Sequence, residues 1–225
     1  MTGSVPHQET VEAETDGRHI RGDRTRQLLL EAAFAEIYEN GFRSASLNEI
    51  IRRAGCTKGS LYHHFSDKHA LGLAAAAEFI GAYIRDVWIE PLAGTDDPLA
   101  TIRAIIERHA HGGIGVDPRF GCPYQNLSQE MAGIDAGFQE IFTDLFESWR
   151  GAIATALKKG QTAGIVRKDV DAHAAATLIV ASHQGVVSMI KATQDLDVGH
   201  AAATAFFGYL KSLRPQPAGG ASEVA

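Results

Sequence analysis

The stretch from Ser46 to Phe65, SLNEIIRRAGCTKGSLYHHF, leaves little freedom in how it can fold. Leu47, Ile50, Ile51 and Ala54 recur at i, i+3, i+4 and i+7, which puts them on one stripe of a short helix. Ser46 precedes the stripe and Glu49 follows three residues later, so the pair can form a capping box over the free N–H groups of the first turn. Gly55 ends this helix, because glycine takes the left-handed backbone conformation without steric cost, and Thr57 can cap a second helix at once. The spacing therefore predicts two short helices joined by a tight turn. The second presents a cation, Lys58, two very small residues, Gly59 and Ser60, and then Tyr62, His63 and His64. Leu61 and Phe65, four apart, anchor it on a core. Such a surface suits a phosphate groove: lysine supplies charge, the small residues allow close approach, and the ring side chains donate to phosphate oxygens or pack on sugars and thymine methyls.

The charge distribution supports this placement. The 225 residues carry a net charge of −6, which alone argues against a nucleic-acid binder. Residues 1–17 contribute −4 and residues 69–225 contribute −5, whereas residues 18–68 contribute +3. Positive charge is thus concentrated around the paired short helices, on an otherwise acidic chain. His19, Arg21, Arg24 and Arg26 can form a basic arm or simply a solvated helix start.

Around this motif the pattern is helical throughout. Residues 1–20 lack apolar periodicity and read as a disordered acidic tail. Leu29, Leu30, Ala33, Phe34, Ile37 and Tyr38 predict a helix over Arg24–Asn40 that backs the pair. Asp67 can cap a long helix reaching about Glu90, where Pro91 opposes continuation, and Lys68 in its first turn can complete a phosphate site. Further helices are expected over Pro98–Gly112, Tyr124–Met131, Ala136–Gly160, Asp169–Lys191 and Val198–Leu213, with a flexible tail over 215–225. The expected fold is all-α: a three-helix helix-turn-helix domain at 21–66, with the motif at 46–65, followed by a larger helical domain at 67–214.

The run G-C-T-K-G-S-L-Y-H-H-F-S-D-K-H-A-L, ending at Leu71, resembles the helix-turn-helix signature of the TetR family of bacterial transcriptional regulators. The resemblance implies a homodimer whose paired recognition helices read palindromic double-stranded operator DNA in the cytoplasm, and a helix from Asp67 linking reader to sensor. The positions assigned to DNA are Ser46, Thr57, Lys58, Gly59, Ser60, Tyr62, His63, His64 and Lys68, the last matching the family's usual phosphate contact. The segment Ala172–Ile190 holds no Asp, Glu, Lys or Arg, yet two histidines, a glutamine, two serines and a threonine make it too polar for a typical membrane span. With the last helix, it resembles the pair that forms the family's four-helix dimer interface. No membrane partner is expected.

The effector side is less sharply marked. Trp88, Cys122, Tyr124, Phe142, Trp149 and His183 are the candidate effector-binding residues, among aromatics that include Phe79, Tyr83, Phe120, Phe138 and Phe146. Gly121-Cys122-Pro123-Tyr124-Gln125-Asn126-Leu127-Ser128-Gln129-Glu130 resembles the G-C-x-x-x-N-L-x-x-E segment of a subset of TetR-type regulators, some of which respond to electrophiles, quinones or unsaturated small acids. Cys122 has two readings, a small buried hydrophobe or a thiol activated at a helix start. Cys56, in the turn between the short helices, reads as core. An enzyme or metal sensor is the alternative. No H-E-x-x-H, C-x-x-C or G-x-S-x-G pattern occurs, and His109 and His111, two apart on a helix, face away from each other. No cofactor, metal site or catalytic residue is therefore expected.

Overall fold

The computed structural model describes residues 8–110 and 117–216. Every regular element among them is helical: α1 (Gln8–Asn40), α2 (Leu47–Ala54), α3 (Lys58–His64), α4 (Lys68–Ala75), α5 (Gly81–Ile84), α6 (Glu90–Ala93), α7 (Pro98–Ala110), α8 (Pro123–Met131), α9 (Ala136–Thr162), α10 (Ala172–Thr193) and α11 (Leu196–Ser212). Two π-helical turns, Ala76–Ile80 and Arg85–Ile89, flank α5. The chain divides into two compact units, residues 1–76 and 77–225. The fold is all-α, with a helix-turn-helix unit followed by a larger helical unit.

In the first unit α1 packs against α2, α3 and α4. Its core is the apolar stripe of α1, with Leu29, Leu30, Ala33 and Ile37, closed by Ile50, Ala54, Leu61, Phe65, Leu71 and Ala75. Two expectations need correction. Helix α1 begins at Gln8, so residues 8–20 are helical rather than a disordered tail. Residues 8–16 contain no Gly or Pro and are rich in Glu, which favours helix. The first unit also extends past residue 66, because Leu71 and Ala75 of α4 are buried in the α1 core. Residues 1–7 lie outside the described residues.

In the second unit α9 packs on α7, α8 and α10, and α11 packs on α7 and α10. Helix starts are set by aspartates: Asp135 accepts from the Phe138 N–H (3.0 Å), Asp171 from those of His173 (2.9 Å) and Ala174 (3.1 Å), and Asp195 from that of Asp197 (2.9 Å). Gly160 on α9 permits a close approach: a Cβ there would lie 2.8 Å from Val166 Cγ2 and 2.9 Å from Pro98 Cγ. Pro91 does not stop the chain as expected, and helix persists to Ala93. The proline follows directly on the π-helical turn Arg85–Ile89, and the backbone before it stays right-handed helical, with Ile89 at φ −70, ψ −54 and Glu90 at φ −62, ψ −47. Helix α10 has the length and composition of a membrane span, but Ala172, Ala175, Ala176, Ile179, Val180 and His183 are buried within the unit. His111 and residues 217–225 of the expected tail lie outside the described residues.

Candidate nucleic-acid interface and effector cavity

Local chemistry fixes the turn between α2 and α3. Ser46 Oγ accepts from the Glu49 N–H at 3.4 Å. The other half of the expected capping box does not form: the Ser46 N–H donates instead to Glu36 Oε1 of α1 (3.3 Å), while the Glu49 carboxylate takes Arg52 (2.8 Å) and Arg53 (3.1 Å). At the other end Gly55 sits at φ +62. Its N–H reaches the Arg52 carbonyl (3.2 Å) and that of Cys56 the Ile51 carbonyl (3.1 Å), the paired bonds of a Schellman cap. Thr57 Oγ1 then accepts from the Ser60 N–H at 3.1 Å and starts α3. Cys56 is half-buried, its thiol donating to the Ala54 carbonyl (3.4 Å).

With Leu61 fully buried and Phe65 nearly so, α3 turns Thr57, Lys58, Gly59, Tyr62 and His63 to solvent. Ser46 is also exposed, and Ser60 and His64 are half-buried. Tyr62 is 49% exposed despite its size, and Lys58 Nζ lies 5.9 Å from its ring. A large aromatic left in water beside a cation, on a helix held from behind, is poised to contact a partner. The His63 and His64 rings meet edge-on at 5.0 Å. Burial, then His63 and Arg26, holds the His64 imidazole below its usual pKa, against the opposing pull of Asp23. Lys68 is half-buried and tied down: its Nζ donates to the Arg43 carbonyl (3.1 Å) and lies 5.0 Å from the Phe42 ring. It fastens the start of α4 to the loop before α2. Asp67 caps α4 by accepting from the Ala70 N–H (2.8 Å), which holds its carboxyl below the ordinary range.

An ion cluster invisible in the sequence locks α2 onto α1. The Arg53 guanidinium meets Glu39 through two bonds (2.7 and 3.1 Å), lies 3.2 Å from Glu36 and donates to Glu49 (3.1 Å). Glu36 is only 4% exposed, and Arg53 is its ion-pair partner on α2. Hydrogen bonds from Arg52 and then Arg53 hold Glu49 at about 2. Glu36 and Glu39 come from α1, fourteen or more residues from Arg53, so no local spacing announces them, whereas Glu49 lies four residues away on α2 itself.

The second unit gathers its polar groups inside. Trp88 and Trp149 are fully buried with ring centroids 5.1 Å apart, and His183 packs on them at 5.3 and 5.7 Å. His109 lies 4.4 Å from His183. Its Nδ1 faces the Ile105 carbonyl (2.9 Å), which can only accept, so Nδ1 carries the proton and Nε2 accepts from the Tyr83 hydroxyl (2.6 Å). Burial lowers His109 to about 4 and drives His183 well below its ordinary value. Among the described residues Trp88 Nε1, Trp149 Nε1 and His183 Nε2 have no hydrogen-bond partner. Tyr124 stacks edge-on with Phe142 (5.4 Å) and donates its hydroxyl to the Phe142 carbonyl (3.1 Å).

Cys122 is 3% exposed at the start of α8, and burial pushes its thiol above the usual value, opposed by the N–H groups of Gln125 and Tyr124 and by Gln184. Beside it, a cavity of about 510 Å³ opens between α7, α10 and α11. His109 and His183 contribute to its wall with Gly121, whereas Trp88, Cys122, Tyr124, Phe142 and Trp149 do not line it. No motif spacing in the sequence singles out His109. The informative spacing was Ile102, Ile105 and His109, which sets the imidazole on the buried stripe of α7. Among the described residues no group of three or more His, Cys, Asp or Glu side chains could hold a metal ion.

The comparisons with known proteins match this anatomy unit by unit. Residues 29–75 match the model of bacterial regulatory proteins of the tetR family, and residues 98–206 match that of the tetracyclin repressor-like C-terminal domain. The chain is similar to the transcriptional regulator AcuR of Cereibacter sphaeroides, with 28% identity over 73% of this chain and 75% of that regulator. It is also similar to the transcriptional repressor DhaR of a Mycobacterium species, with 25% identity over 74% of this chain and 82% of the other. Among solved structures, a TetR-family regulator from Cytophaga hutchinsonii shares the fold, with TM-score 0.80 at 21% identity over 88% of this chain and 98% of that one. With its helix-turn-helix unit and its larger helical unit matched by the two halves of one regulator architecture, the chain belongs to the TetR family of bacterial transcriptional regulators.

Proposed function

We propose that the chain is a homodimeric, ligand-responsive repressor that leaves a palindromic operator when a small molecule occupies its second unit. The observation that carries the DNA reading is the exposure of Thr57, Lys58, Gly59, Tyr62 and His63 on a helix whose other face, Leu61, is buried. Lys58 supplies salt-dependent phosphate affinity, the start of α3 from Thr57 to Ser60 reads base edges, and Lys68 acts first by positioning α4. Dimerisation is supported by the uncharged outer faces of α10 and α11, where Leu178 is 48%, Met189 49% and Leu196 49% exposed. Two recognition helices related by a two-fold axis enter successive major grooves about 34–36 Å apart. A cytoplasmic location follows from this reading.

The test is preferential binding of the purified protein to duplex DNA from its own promoter region over random duplex, with the preference weakening as salt rises. Equal affinity for both duplexes would overturn the regulator reading. Lys58→Ala should weaken binding and lower the salt slope by about one counterion; an unchanged slope removes Lys58 from the interface. The second reading is a thiol sensor at Cys122. Its burial and raised pKa favour a noncovalent effector. Release of DNA by an electrophile in the native protein but not in Cys122→Ser would reverse that preference.

A further inference from the structure

One carboxylate of α1 grips α2 at both ends. Glu36 Oε1 accepts the Ser46 N–H (3.3 Å), and Glu36 Oε2 lies 3.2 Å from Arg53 Nη2. Ser46 caps the start of α2 and Arg53 stands in its last turn. The same guanidinium reaches Glu39 of α1 (2.7 Å) and Glu49 of α2 (3.1 Å). Among the described residues Glu36 is the one buried carboxylate. Helix α3 follows α2 through three residues held by their caps. Gly55 and Cys56 close α2 on the Arg52 and Ile51 carbonyls (3.2 and 3.1 Å), and Thr57 opens α3 at the Ser60 N–H (3.1 Å). Leu61 and Phe65 bury the inner face of α3, but apolar burial is non-directional and does not by itself set the direction of a helix of seven residues. That direction is inherited from α2, and α2 is fixed to α1 through Glu36.

We propose that Glu36 is a positioning residue for sequence reading: by holding Ser46 and Arg53 it sets the angle at which α2 presents α3 to operator DNA. The proposal rests on the DNA reading above. A buried carboxylate does not itself meet DNA, whose phosphates repel it, so its effect on binding passes through the groups it holds. The sign of that effect separates positioning from electrostatics. Removing a negative charge from a unit that binds a polyanion leaves affinity equal or higher by charge alone, whereas loss of positioning lowers it. The loss also falls on preference rather than on general affinity. Phosphate contacts carry no sequence information and survive a shifted helix; base edges read at hydrogen-bond distance do not.

The full chain is titrated with labelled promoter duplex and with random duplex at several salt concentrations, and urea unfolding gives the folded fraction of each variant. Glu36→Gln keeps the size of the side chain and an acceptor for Ser46 but removes the charge that faces Arg53. It is expected to lose about tenfold in promoter affinity, the scale of one misplaced base contact, while random-duplex affinity changes by less than about twofold and the salt slope stays the same. Glu31→Gln is the charge control: Glu31 is an exposed acid of α1 that accepts from Gln27 of the same helix (3.0 Å), and its loss should leave the preference intact. Arg53→Lys keeps the charge but replaces a fork that reaches three carboxylates by a single ammonium, so it should lose preference as Glu36→Gln does. If Glu36→Gln does not fold, Arg53→Lys decides the same point. Equal losses on both duplexes would show a role in folding alone, and a changed salt slope would show an altered phosphate contact; either overturns the proposal. Native preference that survives Glu36→Gln overturns the positioning role and leaves the regulator reading standing. A native protein without preference overturns the regulator reading, and the positioning role falls with it.

Discussion

Histidine serves the two units in opposite ways. On α3, His63 is exposed and His64 half-buried, on a helix held from behind by Leu61 and Phe65. In the second unit His109 and His183 lie 4.4 Å apart against two fully buried indoles, and burial keeps both imidazoles neutral. The first arrangement leaves the His63 ring in water and the His64 ring partly so. The second removes its rings from water, so each nitrogen must find a partner in the protein or in a bound molecule. Under the proposed function, one unit would work through a surface that contributes little to stability, and the other through a core whose atoms also hold the fold.

Truncation should separate the two most clearly. Trp149→Ala removes a fully buried ring that touches Trp88, His183 and Tyr124, and is expected to destabilise the second unit by about 3–5 kcal/mol. Tyr62→Ala removes an aromatic that is 49% exposed and should change stability by less than about 0.5 kcal/mol while weakening DNA binding. Urea unfolding followed by Trp88 fluorescence checks the first, and unfolding together with promoter binding checks the second. Similar stability losses would break the comparison.

Acid should also divide the units. His109 has a folded pKa of about 4 against an unfolded value near 6.5, so the unfolded chain binds more protons between these values. Its contribution of about 3 kcal/mol is complete above about pH 6.5 and is lost as pH falls toward 4. His183 acts in the same direction. Urea midpoints of the native protein should fall over that interval, and those of His109→Phe should fall less; parallel slopes would show that His109 is not held neutral.

This contrast also explains what the sequence revealed. The α2–turn–α3 segment was legible because its determinants are local: Ser46, Gly55 and Thr57 set the ends, and Leu61 and Phe65 set the buried face. The starts of α7 and α9 and the end of α8 were readable from the glycines and prolines that punctuate the helical pattern, whereas α9 runs on past Gly160 to Thr162. What escaped is tertiary. Glu36 takes the place that Glu49 was expected to fill at Ser46, because Arg52 and Arg53 draw Glu49 away. His109 finds Tyr83 across 26 residues, and His183 meets indoles from two other segments. No pattern in a single helix encodes such meetings.

Two glycines of the reading unit sharpen the comparison at a finer scale. At Gly55, φ is +62 and an added Cβ meets nothing within 4 Å, so Gly55→Ala isolates backbone strain. It should cost about 1–2 kcal/mol, measured by urea unfolding, and reduce promoter binding only as far as the folded fraction falls.

Gly59 poses the reverse case. It is exposed within α3, and a Cβ there would meet only Thr57 Oγ1 at 3.8 Å, so alanine fits the folded chain and favours helix by about 0.5–1 kcal/mol. Gly59→Ala should therefore raise the urea midpoint slightly. The same methyl would stand between Lys58 and Ser60 on the exposed face proposed to read DNA, and should weaken promoter affinity about tenfold, the scale of one lost contact. A gain in stability with a loss of binding would mean that α3 keeps glycine for its partner rather than for its fold. A gain in stability with unchanged affinity would place the DNA-facing side of α3 elsewhere, nearer Tyr62 and His63.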